Sequence, residues 1–409
     1  MERVVVTGIG GICALGSDWA SIEQGLRARR NAIRYMTEWD RYDQLETRLA
    51  GPIDDFKPPA TWTRKQLRSM GRVSQLAVRS SELALDDAGL LGHPALTDGR
   101  MGVACGSSIG STPDIKHFAE MLDTGSSNGL NANSYVRMMP HTAAANIGIF
   151  SGITGRMIPT SSACTSGSQA IGYAYEAIRF GRQTMMIAGG AEELCPSEAM
   201  AFDLVYAASR SNDRPSLVPQ PYDRSRDGLV VGEGGGMLVL ESYTSALERG
   251  ATIHAEIAGF ASNSDGSHIT RPREDTMARV IAMAIADAGI TPAEVGYVNG
   301  HGTATEHGDI AETQATAQVF GRAVPISSQK SYLGHTMGAC GALEAWVTIR
   351  GLADGWFPPT INLNEVDPRC GALDYIVDDG RRIDTEYAIS NNFAFGGVNT
   401  SLVFRRWPR

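Results

Sequence analysis

A local pattern that occurs twice is the feature that most constrains the fold of this chain. Cys164 heads the first copy and His335 the second, and in both copies glycine follows after three positions and Ile-Arg after fourteen, with an apolar, helix-like stretch between. A second repeat lies upstream, where residues 85–90 and 285–290 each close a helix-like stretch and lead to a short apolar segment that ends in glycine. The recurrence predicts two duplicated α/β halves. Halves related by a pseudo-twofold axis would bring a cysteine and a histidine to facing helix starts.

The two halves are predicted to share one core. We assign residues 1–250 to the first half and 251–409 to the second, because no Pro- or Ser-rich linker separates them and their strands read as runs buried between helical layers. The glycines of residues 8–11 follow a β-branched strand and predict a turn, although they match the dinucleotide-binding fingerprint poorly. Residues 107–140 are long and polar, which predicts an irregular insertion of the functional or interface kind.

Composition excludes several classes of protein. With 409 residues and a formal net charge of −9, the chain lacks the basic footprint of a general nucleic-acid-binding protein. Its six cysteines are scattered without CxxC or zinc-ligand spacing, which predicts reduced thiols and no metal. No signal peptide precedes the first strand, and no run of about 18 apolar residues predicts a membrane span, so we expect a cytoplasmic protein.

Cys164 is the strongest candidate for a nucleophile. It follows small residues and opens an apolar-periodic helix. Unpaired backbone N–H groups and the positive end of the helix dipole favour the thiolate at such a position. A buried structural cysteine is the alternative interpretation, because free thiols are commonly buried.

Two histidines lie in comparable settings. His301 stands between glycines directly after an apolar strand, and His335 opens a helix, whose N-terminus disfavours the imidazolium and predicts a neutral ring. Lys330 and Glu344 lie before and after His335, and either could be an ordinary ion-pair residue, just as His301 could be an exposed loop histidine. One cysteine and two histidines in these settings suit nucleophilic catalysis on a thioester, with the histidines polarising a carbonyl.

A glycine-rich turn near the C-terminus is a further candidate. Residues 391–399 join a strand to this turn and include two aromatic residues, Phe393 and Phe395. The glycines could free a backbone N–H for an oxyanion while the phenylalanines form the wall of a pocket. Packing of both rings in the core is the alternative.

Four segments together resemble the signatures of the β-ketoacyl-acyl carrier protein synthases, and they occur in the same order. The segments are Ser162–Gly167 around Cys164, Asn299–Thr305 around His301, Lys330–Gly338 around His335, and Asn392–Asn399. The likeness is to the elongating synthases with a Cys-His-His set, since the initiating synthases have asparagine at the position of His335. It extends through essentially the whole chain.

This resemblance implies a thiolase-like fold with a five-layer α-β-α-β-α core, and a homodimer or a heterodimer with a related ketosynthase-like subunit. It implies that Cys164 receives an acyl group from an acyl carrier protein, and that malonyl-carrier protein then loses carbon dioxide with the help of His301 and His335. The carbanion would attack the acyl group on Cys164 and elongate a fatty-acid, polyene or polyketide chain. No cofactor is implied beyond the phosphopantetheine of the carrier protein.

The resemblance also implies roles for the residues around this set. The backbone amides of Cys164 and Phe395 would form an oxyanion hole, and Lys330 and Glu344 would form a supporting charged pair. Ile109 would close an apolar acyl tunnel that Phe395 gates, while two threonines touch the phosphopantetheine arm. The residues that bind substrate would therefore be Thr303, Thr305, Ile109, Phe393 and Phe395.

Some segments depart from the usual family pattern. Ala394 stands between the two phenylalanines where the family has glycine, and its methyl group would stiffen the gate. Residues 110–111 replace a more glycine-rich stretch at the tunnel floor. A weaker likeness, in residues 35–42 and 47–56, is to synthases of aryl-polyene pathways.

A basic cluster is the candidate docking surface for a carrier protein. Arg64, Lys65 and Arg68 lie within about one helical turn on an otherwise acidic chain, which would suit an acidic partner. A solvated helix face is the alternative, because charge clusters commonly have no other role.

Two proteins of related fold are alternatives to a condensing enzyme. A weakly active or non-catalytic partner subunit of a heterodimeric ketosynthase typically lacks the nucleophile, so Cys164 argues against it. A degradative thiolase needs a second catalytic cysteine near the C-terminal glycine motif, and Cys370 comes too early to supply one.

Overall fold

The computed structural model describes residues 1–408, and its main element is a single sheet of eleven strands. Two small sheets, of three and two strands, lie beside it. The strands are β1 Val4–Cys13, β2 Arg34–Tyr35, β3 Leu49–Gly51, β4 Met101–Gly106, β5 Met157–Thr160, β6 Met185–Glu192, β7 Val231–Gly232, β8 Gly234–Ser242, β9 Ala255–Ser264, β10 Val295–Asn299, β11 Pro325–Ser327, β12 Trp356–Phe357, β13 Asp374–Tyr375, β14 Arg381–Arg382, β15 Tyr387–Ala394 and β16 Val398–Arg406.

Helices cover both faces of the large sheet and fill the space between its halves. None of the helices within residues 1–408 combines the length and the apolar character needed to span a bilayer. The helices are α1 Trp19–Arg27, α2 Arg64–Leu67, α3 Arg72–Asp87, α4 Thr112–Thr124, α5 Ala132–Met138, α6 Thr142–Ser151, α7 Ser166–Arg179, α8 Pro196–Asp203, α9 Tyr243–Glu248, α10 Glu274–Asp287, α11 Glu306–Phe320, α12 Lys330–Leu333 and α13 Cys340–Asp354.

The large sheet consists of two copies of one topology. The first half has the strand order β5-β4-β6-β8-β1 and the second has β11-β10-β15-β16-β9, with β13 added at its edge. Counted along each half, both orders are 3-2-4-5-1, and the parallel and antiparallel pairings also correspond. The halves meet where β1 pairs with β9 at Val4 and Ile257. The predicted duplication of an α/β unit is therefore confirmed.

Helices and sheet halves alternate in five layers. Helices α3 and α6 cover the outer face of the first half, α10 and α11 cover that of the second, and α7 and α13 pack between the two. Strands such as β6 are buried at every residue because helices lie on both sides. This arrangement agrees with the five-layer core that the resemblance implies.

Glycines in the first strand of each half bring a helix close to the sheet. A Cβ atom at Gly8 would lie 2.3 Å from the carbonyl oxygen of Ala84 in α3, and one at Gly259 would lie 2.4 Å from that of Ala284 in α10. The prediction of a turn at residues 8–11 is wrong, because these residues continue β1. Their small size serves helix packing, which the sequence pattern alone does not distinguish from turn formation.

The register of the duplication around the central helices also differs from the prediction. Ala163 begins a 3-10 turn before α7, and Met337 begins the matching turn before α13, with φ of 50° and 45°. Gly338 is therefore the counterpart of Cys164, and His335 precedes the turn instead of opening the helix. The alignment from the sequence pairs Cys164 with His335 and is therefore three residues away from the structural one. Three residues are nearly one helical turn, so both alignments match the apolar positions of the two helices almost equally well.

The central helices approach each other at glycines. A Cβ atom at Gly167 would lie 2.7 Å from the carbonyl oxygen of Gly338, and one at Gly341 would lie 2.7 Å from the backbone nitrogen of Ser168. Larger residues would push the helices apart. This close contact holds the turn of Cys164 beside the turn that follows His335.

The prediction of an irregular insertion at residues 107–140 is wrong, because this segment contains α4 and α5. Pro113 lies at the first turn of α4, Gly125 ends that helix at φ of 71°, and Asn131 caps α5. These proline, glycine and asparagine residues also favour loops, and few residues of either helix are buried. The helical period is consequently weak in the sequence.

Candidate active site

Three loops converge at the centre of the molecule and bring Cys164, His301 and His335 together. Cys164 lies in the turn after β5, His301 follows β10, and His335 follows α12. All three are buried, and the sulfur of Cys164 and one ring nitrogen of each histidine lie within 4.8 Å of one another. The imidazole rings are nearly perpendicular, with centroids 5.2 Å apart. Duplicated halves thus supply the cysteine and both histidines to a single cluster.

The loop of His301 is fixed by a buried carboxylate. The backbone amides of His301 and Gly302 donate hydrogen bonds to Glu312 at 2.5 and 2.7 Å. Burial raises the pKa of Glu312 to about 8, against the opposing effect of these two amides. Glu312 lies in α11, so the helix that follows the loop also holds its backbone in place.

A buried ion pair fixes the ring of His301. Lys330 forms an ion pair with Glu344, and its Nζ lies 3.2 Å from Nδ1 of His301. An ammonium group can only donate, so Nδ1 accepts and the proton of the neutral ring is on Nε2. Burial, followed by the charge of Lys330, lowers the pKa of His301 well below its ordinary value.

Two asparagines complete the surroundings of Glu344. The side-chain amide of Asn392 donates to Glu344 at 2.7 Å and lies 3.3 Å from Nδ1 of His301. Asn299 donates to Ser390 at 3.0 Å and lies beside Glu344. Neither asparagine is predicted from the sequence, although both lie in the quoted signature segments. Polar residues at the ends of otherwise buried strands are the signal that could identify them.

His335 is held by its backbone while its ring is free. Its amide donates to the carbonyl of Val230 at 2.6 Å, and its carbonyl accepts from the amide of Gly232 at 2.9 Å. Within residues 1–408, neither ring nitrogen has a hydrogen-bonding partner, although both are buried. Burial and the charge of Lys330 lower the pKa of this histidine well below its ordinary value. Its neutral ring can therefore accept or donate a hydrogen bond to a bound molecule.

The thiol of Cys164 faces two backbone amides, its own and that of Phe395. Burial raises the pKa of this thiol to about 12, against the lowering effect of Lys330 and of the two amides. The N–H groups at the turn favour the thiolate, as the sequence indicates, but desolvation opposes it more strongly. A base must take the proton when the sulfur reacts.

A cavity of about 500 Å³ opens from this cluster toward the surface. Cys164 and both histidines lie in its lining, and so do Thr303 and Thr305, whose hydroxyl oxygens are 2.9 Å apart. This arrangement leaves room for an extended molecule above the thiol.

Two phenylalanines line the same cavity in different ways. Phe393 is buried in β15 with its ring centroid 6.1 Å from that of His301. Phe395 is 37% exposed, and its ring packs against Phe202 at a centroid distance of 5.4 Å. Gly396 and Gly397, at φ of 88° and 70°, form the turn that follows. Phe395 is thus the more accessible of the two.

The remaining predicted residues lie outside the cluster. Ile109 is half-buried and does not line the cavity. Arg64, Lys65 and Arg68 are exposed at α2, and none forms an ion pair with another residue in the part of the chain that is described. Ala394 lies in the cavity wall next to Phe395.

The thiol and imidazoles could in principle hold a metal ion. Cys164, His301 and His335 have ligand types that suit Zn²⁺, and Cys340 and Glu344 form a second such group with His301. The ammonium of Lys330 already supplies positive charge between His301 and Glu344. This charge opposes a cation, so the arrangement favours chemistry at the thiol.

Comparison with known proteins gives this site its context. The family model described as "Beta-ketoacyl synthase, N-terminal domain" matches residues 1–246, and "Beta-ketoacyl synthase, C-terminal domain" matches residues 254–364. The 3-oxoacyl-[acyl-carrier-protein] synthase 2 of Vibrio harveyi is 38% identical over 416 residues, which cover 99% of both chains.

Solved structures extend this similarity. A β-ketoacyl synthase from Burkholderia phymatum is 59% identical with a TM-score of 0.99, and the match covers 100% of both chains. A type II polyketide synthase acyl-carrier protein in complex with its ketosynthase bound to the hexaketide gives 31% identity and a TM-score of 0.87, covering 99% of this chain and 100% of the other. The thiolase-like fold and the resemblance seen in the four segments are confirmed, and the chain belongs to the β-ketoacyl synthase family.

Proposed function

We propose that this protein is a β-ketoacyl-acyl carrier protein synthase that joins a malonyl unit to an acyl group held on Cys164. The observation that carries the proposal is the meeting of one thiol, two backbone amides and two neutral imidazoles at the inner end of the cavity. This set can form and break a thioester and stabilise negative charge on oxygen.

Acyl transfer begins at the thiol of Cys164. Because burial raises its pKa to about 12, the thiol gives up its proton only as the sulfur attacks the carbonyl carbon of the carrier-bound thioester, and the ring of His335, whose nitrogens have no other partner, passes that proton on toward the departing sulfur. The amides of Cys164 and Phe395 donate to the oxygen of the tetrahedral adduct. Its collapse breaks the bond to the phosphopantetheine sulfur, which takes the proton and leaves.

Condensation follows when malonyl-carrier protein binds. The bond to its carboxylate breaks, carbon dioxide leaves, and the electron pair forms an enolate whose oxygen accepts hydrogen bonds from Nε2–H of His301 and from His335. The enolate carbon attacks the acyl carbonyl on Cys164, and the same two amides receive the new oxyanion. Expulsion of the Cys164 sulfur, which regains a proton from water, releases a 3-oxoacyl chain on the carrier.

Lys330 and Glu344 act as positioning residues in this proposal. Lys330 holds His301 in the tautomer whose Nε2–H points away from the ion pair, and Glu344 compensates the charge of Lys330. A hydrogen bond from a fixed neutral imidazole costs little reorganisation when the enolate forms.

Carrier-bound substrates would reach the cavity through Thr303 and Thr305, which hold the phosphopantetheine arm. The acidic carrier would dock on the exposed, unpaired charges of Arg64, Lys65 and Arg68. Support comes from the ketosynthase described above that was solved with its acyl-carrier protein. The acyl group would extend past Phe395 toward Ile109.

We further propose a dimer that buries strand β5. This strand is at one end of the large sheet, and beside it Ile149 and Met157 are 76% and 44% exposed. An unpaired edge with apolar side chains is suited to pairing with another chain. A second copy is the simplest partner, and a related ketosynthase-like subunit is the alternative. Six free thiols suit a reducing compartment such as the cytoplasm.

Incubation with acyl-carrier and malonyl-carrier proteins tests the proposal. We expect intact-protein mass spectrometry to show an acyl group on Cys164 and a 3-oxoacyl group on the carrier. If Cys164 remains without an acyl group after incubation with every acyl-carrier protein, the protein is a non-catalytic subunit, which contradicts the proposal.

A further inference from the structure

A buried carboxyl group without a hydrogen bond lies near the acyl site. Glu198 is 6% exposed in α8, and neither of its carboxyl oxygens makes a hydrogen bond of normal geometry with any residue from 1 to 408. A buried polar group without a hydrogen bond costs free energy of folding, so its presence here calls for an explanation. The proposed mechanism does not use it.

Helix α8 connects this carboxyl group with the cavity. Phe202, four residues after Glu198, lies on the same helix face, lines the cavity and packs against Phe395. Ala199 and Phe202 belong to one apolar cluster with Cys164. Glu198 therefore lies about one helical turn before Phe202, a separation of about 6 Å along the helix axis at about 1.5 Å per residue.

Glu198 also lies within electrostatic range of a carboxylate that holds the segment before Ile109. The negative charge of Glu192 acts on Glu198, and Glu192 accepts hydrogen bonds from Ser107 at 2.8 Å and from the amide of Ser108 at 2.6 Å. These serines directly precede Ile109. Glu198 is thus one helical turn from Phe202 in the cavity wall and within electrostatic range of the carboxylate that holds the segment before Ile109.

The carboxyl group of Glu198 is suited to a neutral partner. Burial, with the charges of Glu192, Cys195 and Glu193, raises its pKa well above the ordinary value, and only the nearby amide of Cys195 favours ionisation. A protonated carboxyl group has one O–H donor and a carbonyl acceptor, so it can pair with a hydroxyl or carbonyl group. An alkyl chain offers the carboxyl group of Glu198 no hydrogen bond.

We propose that Glu198 selects acyl chains that have a hydroxyl or carbonyl group in the part of the chain beyond Phe202. This inference rests on the proposed condensing activity, which it refines by naming a substrate class. A polar substituent satisfies the buried carboxyl group, whereas an alkyl chain leaves it unsatisfied in the bound state. The site therefore rejects the alkyl chain by an uncompensated polar group.

The test measures the rate of Cys164 acylation by carrier-bound chains of equal length. One chain is alkyl, and the others have a single hydroxyl group moved step by step along the chain. In the unmodified protein we expect one hydroxyl position to react about tenfold faster than the alkyl chain, which corresponds to one hydrogen bond. Glu198→Leu should abolish that preference and accelerate the alkyl chain.

Two further variants control for structural effects. Glu198→Gln keeps a donor and an acceptor and should retain the preference, whereas Ser197→Ala, an exposed neighbour on α8, should change nothing. An equal rate for all chains, or a preference that survives Glu198→Leu, would overturn the inference even though Cys164 is acylated. Absence of acylation with any chain would instead disprove the condensing function.

Discussion

The two halves of the molecule share one topology, yet they contribute different chemistry to one site. In the first half β5 leads directly to the turn of Cys164. In the second half β11 ends at Ser327, and the extra helical turn α12 is inserted before His335. That insertion supplies Lys330. The comparison shows how duplicated turns can present a thiol to the site from one copy, while a short insertion supplies the lysine of the buried ion pair in the other.

The matching turns differ most at the position of Cys164, the proposed nucleophile. Cys164 corresponds to Gly338, where a Cβ atom would lie 2.8 Å from a carboxylate oxygen of Glu192. The second turn therefore has no space for a side chain and functions in packing, whereas the first presents a thiol to the cavity. Of the two equivalent positions, Cys164 thus presents a reactive group and Gly338 allows close packing.

Replacement of the nucleophile should have the largest effect. We expect Cys164→Ala to reduce condensation by about 10³-fold or more, because no other thiol faces the two amides. The fold should be retained, as judged by circular dichroism and thermal unfolding. Cys164→Gln should retain malonyl decarboxylation, because both histidines and the amides remain.

A buried thiol elsewhere provides the control for that experiment. Cys370→Ala should leave condensation close to its original rate, because Cys370 lies outside the cluster. Near-normal condensation by Cys164→Ala would show that Cys164 is not the nucleophile.

Removal of the positive charge of Lys330 in α12 should have the next largest effect on condensation. Lys330→Met leaves Glu344 buried without its partner, so we expect the free energy of unfolding to fall by about 3 kcal/mol. The rate of condensation should fall about 10²-fold because His301 loses the group that fixes its tautomer. Denaturant unfolding and steady-state kinetics measure the two effects separately.

A surface ion pair is the matched control. Lys116→Met breaks an exposed pair with Glu120 on α4 and should cost about 0.5 kcal/mol or less. Equal losses for Lys330→Met and Lys116→Met would contradict the role of the inserted helix.

The halves also differ in the segment between their first strand and first long helix. The first half has residues 14–71 there, including α2, whereas the second has only residues 265–273. Reversal of Arg64 and Arg68 to glutamate should raise the KM for carrier-bound substrate about tenfold and flatten its salt dependence. Reactions with pantetheine-linked substrate should be unaffected.

A distant cation tests whether that effect is local. Arg182 is exposed beyond the end of α7, a 14-residue helix that places it about 20 Å from Cys164. Arg182→Glu should leave the KM nearly unchanged. Equal increases for both variants would indicate a general charge effect and would contradict docking at α2.

The smallest expected effect concerns the backbone of the matching turns. Ala163 adopts φ of 50°, which is strained for a residue with a Cβ atom, so Ala163→Gly should raise the free energy of unfolding by about 1 kcal/mol. Met337 has a similar φ of 45° but a buried side chain, so Met337→Gly should lower it by about 2 kcal/mol. Denaturant titration measures both, and stabilisation by Met337→Gly would show that strain outweighs packing.

Much of the fold can be predicted because it depends on repeated local patterns. The helix ends at Asp87 and Asp287 are visible in the sequence because each is followed by the same Ala-Gly pair. The packing role of Gly8 is hidden, because it depends on α3, which is distant in the sequence. The register of Cys164 against Gly338 is hidden for another reason, since a shift of one helical turn preserves the apolar pattern.

The site can be predicted where residue type limits the chemistry. A cysteine and two histidines beside glycines indicate catalysis, whereas Asn392 is not recognisable as a partner of Glu344 from one sequence. The raised pKa of Cys164 is also hidden, because it depends on burial by segments from both halves. Contacts between residues distant in the sequence thus determine the pKa values in the site, and local sequence patterns do not reveal them.

The division of the site between the halves has a consequence for synthesis on the ribosome. Cys164 emerges early, whereas Asn392 and β16 lie near the C-terminus. Until β9 is complete, β1 lacks its partner from the second half, and until α13 and β16 also form, the inner face of α7 is incompletely covered. Contacts of such long sequence separation form slowly and leave apolar surface open to aggregation. We therefore expect the apolar face of α7 to stay open to aggregation until the last strands leave the ribosome.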